Sequence, residues 1–298
     1  MLVMGTFGFA SGLPYILIFS TLSAWLRDVG ISLSLIGFFS WIALTYSLKF
    51  LWAPFVDRFS VPILNRYGRR KSWIILTQLI IVFCIFTLSS INPIDSLSFF
   101  IFIAFLIAFS GSIQDIAIDA FRIEYADISD QGNLAAAYQF GYRLAILAAT
   151  SLALILADNY GWSTSYEVMG LLMLTGLIGV VISKKENINT QLEILNFKDS
   201  FIKPIKDFGS RYGFYLASLL LLIVATYRLT DIVMGPMANP FYLDMGYSLT
   251  EIGSVVKIVA LIASVIGVFL GGILIKKIGL YYSLLTGAFL VMMTNACF

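Results

Sequence analysis

The feature of this sequence that most constrains its fold is a succession of long apolar runs that carry almost no charge. They recur along the whole chain, and several approach the length of about 20 residues that a helix needs to cross a bilayer. Hydrophobic residues make up 59% of the 298 residues, charged residues make up 12%, and the mean hydropathy is +0.92. This composition excludes a water-soluble domain and predicts a polytopic membrane protein.

The apolar runs predict an all-α protein. A transmembrane barrel would show segments of about ten residues that alternate between apolar and polar, and stretches such as FFIFIAFLIAF (99–109) do not alternate. Residues 1–26 have no basic region before them and no small-residue cleavage site after them, so they predict a first helix and not a removable signal. We expect about nine transmembrane helices, at 1–26, 33–56, 73–91, 97–122, 134–156, 162–182, 212–235, 249–274 and 280–298.

The distribution of basic residues predicts the orientation of these helices. With a cytoplasmic N-terminus, the cytoplasmic loops hold most of the 19 basic residues, and the loops on the other side hold only Arg27. Loops rich in Lys and Arg stay in the cytoplasm. The sequence therefore predicts a multi-pass protein with its N-terminus inside.

Two stretches of the chain repeat each other. DVGISLSLIG (28–37) and DMGYSLTEIG (244–253) share their Asp, Gly, Ser, Leu, Ile and Gly positions. Each copy begins at the outer end of one predicted helix and runs into the next. A second, weaker match joins APFVDRFS (53–60) to GILIKKIG (272–279), with a charged pair between two small residues in both. Internal repeats of this kind are typical of transporters.

The repeat divides the chain into three parts. Residues 1–182 form a predicted N-terminal half of six helices, and 212–298 form a partial C-terminal half of three helices. The segment between them, 183–211, is mixed in charge and predicts a cytoplasmic linker. The second half stops after three predicted helices, so a truncated, non-transporting remnant is one alternative to consider.

The motifs resemble those of a known family. The first repeat resembles the major facilitator superfamily, whose loop between helices 2 and 3 reads G-x-x-x-D-R-x-G-R-R-K; here Ala53 replaces the first Gly, and FSVPILNRY is placed before Gly68. A narrower match rests on the motifs SGLPYILIFSTLSAWL (11–26), KFLWAPFVDR (49–58), QDIAIDAFR (114–122), GYRLA (141–145) and YSLTEIG (247–253). With these motifs the chain resembles AmpG-type muropeptide permeases of the same superfamily.

This resemblance implies a function. It implies proton-coupled import of anhydro-muropeptides, which are N-acetylglucosamine–anhydro-N-acetylmuramic acid peptides, across the bacterial inner membrane for cell-wall recycling. The implied partners are this solute, protons and the lipid bilayer. We expect no cofactor, no metal and no nucleic acid, and we expect a monomer if the chain is complete.

Charged residues inside the predicted helices are candidates for proton coupling. Asp115, Asp119 and Arg122 lie at helical spacing on one face of the helix at 97–122. Lys49 and Arg143 fall at a similar depth in their own helices. Charges within a bilayer are costly, and they persist where they pair or meet water. The predicted proton-coupling network therefore consists of Lys49, Asp115, Asp119, Arg122 and Arg143.

A static role for the same charges stays open, because ion pairs often brace helix ends without titrating. The chain has no histidine, so a proton site within the membrane would have to be a carboxylate. Asp115 lies deeper in its helix than Asp119 and is the first candidate.

A substrate site is predicted where the repeat aligns GLPY (12–15) with RLTD (228–231). Gly12 and Pro14 are expected to interrupt the first helix, and corresponding interruptions in two halves indicate a central binding site. Arg228 suits a carboxylated ligand through its paired N–H donors, although a local ion pair with the aspartate three residues on is the alternative. The predicted substrate-binding residues are Gly12, Pro14, Tyr46, Gln114, Arg228 and Asp231.

The loop after the second predicted helix is rich in charge. The family pattern implies that Asp57 and Arg58 act as a latch at the inner gate. The basic residues that follow are expected to be topology signals and anchors to lipid headgroups. These expected anchors are Arg66, Arg69, Arg70 and Lys71.

Two other classes of protein share some of these sequence features. A transporter of another solute, such as acetyl-CoA, fits the same superfamily. An enzyme of the Mg-dependent membrane prenyltransferase class would use Asp115 and Asp119 as metal ligands, but the second aspartate cluster that such an enzyme needs has no counterpart at the right spacing. We therefore expect no enzymatic activity and no catalytic residues.

Overall fold

The structure is a computed structural model that describes residues 1–126, 130–184, 197–227 and 229–295. These residues are almost entirely helical, as the apolar runs predict. The helices are α1 (Leu2–Asp28), α2 (Leu33–Leu51), α3 (Ala53–Arg58), α4 (Arg69–Ser89), α5 (Leu97–Tyr125), α6 (Gln131–Tyr160), α7 (Trp162–Ile182), α8 (Phe197–Tyr227), α9 (Leu229–Asp244) and α10 (249–295).

Among the residues described, 6 helices are long and apolar enough to cross a membrane, namely α1, α2 and α4 to α7. They correspond to the first six predicted spans, and we call them, with α3, the first bundle. The other three predicted spans fall within α8 to α10, which we call the later helices. Gly213 and Gly279 bend α8 and α10 at φ values of +72° and +79°, close to two predicted boundaries. Glycine adopts this left-handed backbone without a steric penalty.

The two ends of the bundle are defined by its loops. We call the end that carries Asp28 and Tyr160 the outer end, and the end that carries Arg58 and Tyr125 the inner end, because successive helices alternate in direction. The basic residues of the loop before α4 all lie at the inner end.

Helix α1 lies at the centre of the first bundle and packs against α5, α6 and α7. Its closest neighbour is α6, because glycines face each other in the contact. A Cβ atom on Gly8 would overlap the backbone of Tyr138, and one on Gly141 would overlap the backbone of Gly5. Small residues allow helices to approach this closely within a membrane, where packing has to hold them together.

Pro14 does not interrupt α1, so that part of the sequence prediction is wrong. The α-helix continues through Gly12 and Pro14 to Ile16. The helix departs from α geometry one residue later, in a π turn at Leu17–Thr21. Neighbouring groups satisfy the backbone around Pro14, as is usual for prolines in membrane helices. A second π turn, Ala148–Leu152, lies in α6 beside the first one.

The buried apolar residues of the first bundle form two clusters. The outer cluster includes Leu13, Leu17 and Trp25 of α1, and the inner cluster includes Met4 and Phe7 of the same helix. On α5, the residues between the two clusters include Ser110, Ser112 and Gln114, which are polar and buried. A polar layer therefore crosses the bundle between two apolar regions.

Candidate functional site

Asp115 of α5 is at the centre of this polar layer. Lys49 forms an ion pair with it, with 2.9 Å between Nζ and Oδ2. The hydroxyls of Ser11 and Tyr138 donate hydrogen bonds to Oδ1 over 2.5 and 3.2 Å. The single Tyr138 O–H proton is shared between Asp115 Oδ1 and Ser11 Oγ, which is 2.8 Å from the Tyr138 oxygen. Four helices, α1, α2, α5 and α6, therefore each supply a group to one site.

The local sequence explains how the two hydroxyls reach the same carboxylate. Ser11 follows Gly8 by three residues, and Tyr138 precedes Gly141 by three residues, so each hydroxyl is one turn from a glycine of the α1–α6 contact. The close backbone approach at these glycines brings both side chains to the same level. Asp115 reaches them from α5, which packs against α1.

The Asp115 ion pair borders an open face of the bundle. The side chain of Asp115 is 17% exposed, whereas that of Lys49 is 40% exposed. A charge in a membrane protein that is partly exposed in this way typically lines a water-filled cavity. One side of the carboxylate is therefore held by neutral hydroxyls, and the other by a cation that has room to move.

Asp119 and Arg122 lie one and two turns nearer the inner end of α5. They pair with each other, with 3.6 Å between Oδ1 and Nη2, and Arg122 also lies 5.4 Å from the centre of the Tyr138 ring. Arg143 is exposed, and among the described residues no ion pair joins it to either aspartate. The structure thus brings Lys49 to Asp115 and Arg122 to Asp119, and it leaves Arg143 apart.

Gln114 and Pro14 are linked through one carbonyl group. Pro14 has no N–H, so the Ala10 carbonyl lacks its usual helical donor four residues on. Gln114 Nε2 donates to that carbonyl over 2.9 Å, while the buried Gln114 Oε1 has no protein partner. Gly12 lies against α6, where a Cβ would be 3.1 Å from the Tyr142 ring and from Ala145. These three predicted substrate residues therefore hold α1 against its neighbours.

Tyr46 belongs to an aromatic group beside the ion pair. Its ring lies 4.9 Å from that of Tyr15 and 5.8 Å from that of Phe19, and the Tyr15 and Phe19 rings are 4.8 Å apart. All three side chains are partly exposed, although the Tyr46 hydroxyl is buried without a partner. We call Tyr15, Phe19 and Tyr46 the aromatic wall. Tyr15 is near the middle of α1, which is also the middle of the membrane span.

Two predicted substrate residues lie outside this description. Arg228 and the side chain of Asp231 are not among the described parts of the chain. Their predicted contact with a ligand stays a prediction. Among the residues that are described, no group of three or more His, Cys, Asp or Glu side chains could hold a metal ion.

A second ionic cluster lies at the inner end and is centred on Arg70 of α4. Its Nη1 is 2.5 Å from Asp57 Oδ1, and its Nη2 is 2.8 Å from Glu124 Oε1. Arg69 adds a longer pair to Glu124, at 3.5 Å. Asp57 thus pairs with Arg70, whereas its neighbour Arg58 is exposed and lies over the Phe59 ring. The cluster ties together α3, α4 and α5.

The expectation of lipid anchors is wrong for two of the four basic residues. Arg70 and Lys71 are only 3% and 4% exposed. The Lys71 ammonium group donates hydrogen bonds to the carbonyl oxygens of Ser183 and Lys184 at the end of α7, over 3.1 and 2.6 Å. Both side chains turn back into the bundle because carboxylates and free helix-end carbonyls there can satisfy them.

Several residues of the two clusters were not predicted from the sequence. Ser11 and Tyr138 are the polar residues next to the glycines of α1 and α6, and this spacing is the signal that could have identified them. Glu124 follows Asp115 by nine residues, which places it on the opposite side of the helix from the polar face of Asp115. The aromatic residues Tyr15 and Phe19 carry no such signal, because aromatic side chains are frequent throughout the chain.

Comparisons with known proteins agree with this architecture. A family model described as "Major Facilitator Superfamily" matches residues 4–298. A protein of Rickettsia conorii named "Putative transporter AmpG 4" is 35% identical over 297 residues, which cover 98% of this chain and 71% of that protein. The "Anhydromuropeptide permease" of Escherichia coli K12 is 34% identical over 291 residues, which cover 97% of this chain and 58% of the permease. "Putative transporter AmpG 1" of Rickettsia bellii is 34% identical over 295 residues, which cover 95% and 70% of the two chains.

Proposed function

Because the chain belongs to the AmpG-type family of transporters within the major facilitator superfamily, we propose that it imports anhydro-muropeptides with protons. The proposed substrates are N-acetylglucosamine–anhydro-N-acetylmuramic acid peptides, and the proposed direction is into the cytoplasm, across the bacterial inner membrane and with the N-terminus inside. The superfamily consists of multi-pass membrane transporters, so the prenyltransferase alternative is wrong and the protein is not an enzyme.

The observation that carries the proton-coupling part of the proposal is the Asp115 site. The ionised carboxylate has one cationic partner, Lys49, and two hydroxyl donors. A proton on the carboxylate would remove its charge and so release Lys49 from the pair. The exposed fraction of Lys49 leaves it room to reach a ligand instead. Proton binding at one group and anion binding at the other would then be coupled.

The aromatic wall supports the substrate part of the proposal. A sugar ring has apolar C–H faces that pack on aromatic rings, and ligand sites typically combine such surfaces with a few polar groups. Tyr15, Phe19 and Tyr46 supply the surface near the middle of the membrane. Lys49, one turn from Tyr46 on α2, supplies a cation for the peptide carboxylate. A disaccharide-peptide has both the sugar rings and the carboxylate that these residues could bind.

The Arg70 cluster is proposed as the brace of the inner gate. It joins α3, α4 and α5 at the end where the substrate would leave. Within this proposal Asp57 acts through Arg70, while Arg58 stays at the surface.

Uptake by cells tests the proposal. The chain is produced in a bacterium that lacks its own permease, and the uptake of labelled anhydro-muropeptide is measured with and without a proton gradient. We expect uptake that a protonophore abolishes. Acetyl-CoA, short peptides and free disaccharide are offered as competitors, and acetyl-CoA as the more effective competitor would replace the proposed substrate.

A further inference from the structure

The two copies of the sequence repeat fold into the same turn at the outer end. Gly30 and Gly246 occupy equivalent positions, with φ of +88° and +89°. Ser32 and Ser248 cap the helices that follow by accepting an N–H from the residue three positions on. Three backbone hydrogen bonds of the first turn each have a counterpart in the second. In the first turn, the N–H groups of Gly30, Ile31 and Ile36 donate to the carbonyls of Arg27, Leu26 and Ser32. In the second, the N–H groups of Gly246, Tyr247 and Ile252 donate to the carbonyls of Leu243, Tyr242 and Ser248.

The two turns differ in what their equivalent aspartates bind. Asp28 accepts a hydrogen bond from Trp162 Nε1 over 2.7 Å, which stays within the first bundle. Asp244 pairs with Arg27, with 2.6 Å between Nε and Oδ1, and so joins α9 to α1. The position equivalent to Arg27 in the second copy is Leu243. The aspartate of the first turn therefore binds within the first bundle, and the aspartate of the second turn binds from the later helices to the first bundle.

Further contacts between the first bundle and the later helices lie below this ion pair. The buried Asn239 donates to the Ser20 carbonyl in the π turn of α1 over 2.6 Å. Asp158 accepts a hydrogen bond from the Thr250 N–H over 3.0 Å. Gly253 packs so closely on α6 that a Cβ would be 2.9 Å from the Ser151 carbonyl oxygen.

All of these contacts lie in the outer half of the bundle. The hydrogen bonds and the ion pair named above link the first bundle to the later helices, and Asn239 Nδ2 lies a further 3.2 Å from Ser20 Oγ. Leu249 and Ile252 of α10 are buried in the outer apolar cluster. Further along the same helix, Ile258, Ile262 and Ile266 are exposed. The later helices thus contact the first bundle at its outer end and leave it toward the inner end.

The Arg27–Asp244 pair is open to water. Its side chains are 29% and 37% exposed, and both residues line a cavity of about 570 Å³ at the outer surface, together with residues of both turns. Half-exposed pairs contribute little net stability. Such a pair can break and form again without unfolding the helices that carry it.

We propose that Arg27 and Asp244 form a reversible latch that closes the outer end of the transport path. The inference rests on the proposed function, because a latch matters only in a protein that opens alternately to the two sides. The closed latch holds α9 against α1 and blocks the route from outside to the aromatic wall. Opening to the outside then requires that three contacts break: the Arg27–Asp244 pair, the hydrogen bond from Asn239 to Ser20 and the hydrogen bond from Thr250 to Asp158.

Cross-linking tests the latch. Arg27→Cys and Asp244→Cys are combined in a background in which Cys84 and Cys297 are replaced by alanine, and a short bifunctional thiol reagent that a reductant cleaves is added to cells. We expect cross-linking to abolish uptake of labelled anhydro-muropeptide and the reductant to restore it. Unchanged uptake by fully cross-linked protein would overturn the latch.

The repeat supplies a matched control pair. Asp28→Cys combined with Trp162→Cys places the same cross-link at the equivalent aspartate, but within the first bundle. We expect uptake to continue after this cross-link forms. Loss of uptake in both variants would mean that the outer end only has to be flexible, and the latch would again be overturned.

A measurement that needs no transport separates failure of the latch from failure of the proposed function. Ser23 is buried one turn below Arg27, in a small cavity that Pro236 of α9 also lines. In the variant Ser23→Cys, we expect slow labelling by a membrane-impermeant maleimide from outside. Adding Arg27→Asp should accelerate labelling about tenfold, which corresponds to about 1.4 kcal/mol. The charge swap, Arg27→Asp combined with Asp244→Arg, should return labelling to the slow rate because it restores the ion pair. Equal rates in all three variants would rule the latch out, whichever solute the protein carries.

Discussion

The two ionic clusters of the first bundle have opposite designs. In the middle of the bundle, one carboxylate, Asp115, has a single cationic partner whose side chain is 40% exposed. At the inner end, one guanidinium, Arg70, has a side chain only 4% exposed and lies between the carboxylates of Asp57 and Glu124. In the proposed mechanism, a proton or a ligand replaces the partner in the first cluster. In the second cluster the guanidinium is buried and has two carboxylate partners.

Our proposals assign a change of charge to the Asp115 cluster and the bracing of helices to the Arg70 cluster. A half-exposed pair contributes about 0–1 kcal/mol, so breaking it in a transport cycle is feasible. Removing one partner of a fully buried pair costs about 3–5 kcal/mol, and removing Arg70 should cost less than this because the carboxylates of Asp57 and Glu124 are 52% and 32% exposed. We therefore expect substitutions in the Asp115 cluster to reduce uptake without reducing stability. We expect substitutions in the Arg70 cluster to reduce stability.

The largest effect on uptake is expected for Asp115→Asn. The amide keeps the size of the side chain and can accept from Ser11, but it can neither carry the proton nor pair with Lys49 as an ion. We expect uptake of labelled anhydro-muropeptide to fall to background while the amount of membrane-inserted protein is unchanged. Normal proton-dependent uptake by this variant would end the proposed role of Asp115.

The largest effect on stability is expected for Arg70→Ala. It removes the buried cation that Asp57 and Glu124 share and leaves Glu124 only the longer pair with Arg69. The loss should cost less than the roughly 3–5 kcal/mol of a fully buried pair, and it should lower the melting temperature of the purified protein. Arg66→Ala is the control, because Arg66 is exposed and contacts its neighbour Tyr67. Similar melting temperatures for the two variants would show that the inner cluster does not brace the bundle.

The variant Lys49→Met removes the cation of the Asp115 pair, and it tests whether this pair matters for uptake more than for stability. The change should reduce uptake about tenfold, equivalent to about 1.4 kcal/mol of ligand interaction, and should change stability by less than about 1 kcal/mol. Uptake and melting temperature are measured on the same preparation. A large loss of stability would place Lys49 with Arg70 as a structural residue.

The smallest effect is expected for Tyr138→Phe. The variant removes the hydroxyl that donates to Ser11 and Asp115 and keeps the ring that packs beneath Arg122. A hydrogen bond of this kind contributes about 1 kcal/mol, so we expect uptake to fall a few-fold. Ser11→Ala should have a similar effect, and the double variant should show less than the product of the two, since the hydroxyls act on one oxygen.

Much of the fold and part of the site could be predicted from the sequence. The first six spans, the polar face of α5 and the repeated turn depend on local periodicity, and the structure has them where the sequence indicates. The expected break at Pro14 was wrong, because Gln114 from another helix satisfies the carbonyl that the proline leaves free. The expected anchors Arg70 and Lys71 were wrong for a related reason, since their partners come from distant parts of the chain.

The sequence by itself determined which segments are helices, which residues lie on the same face of each helix and which loops carry the positive charge, because these properties follow from neighbours along the chain. The tertiary structure decided the partners. It brought Ser11 and Tyr138 to Asp115 through a glycine contact between α1 and α6, and it joined Arg27 to Asp244 but left the equivalent Asp28 within its own bundle. Contacts of this kind depend on how helices pack, and the spacing of residues within one helix does not specify them.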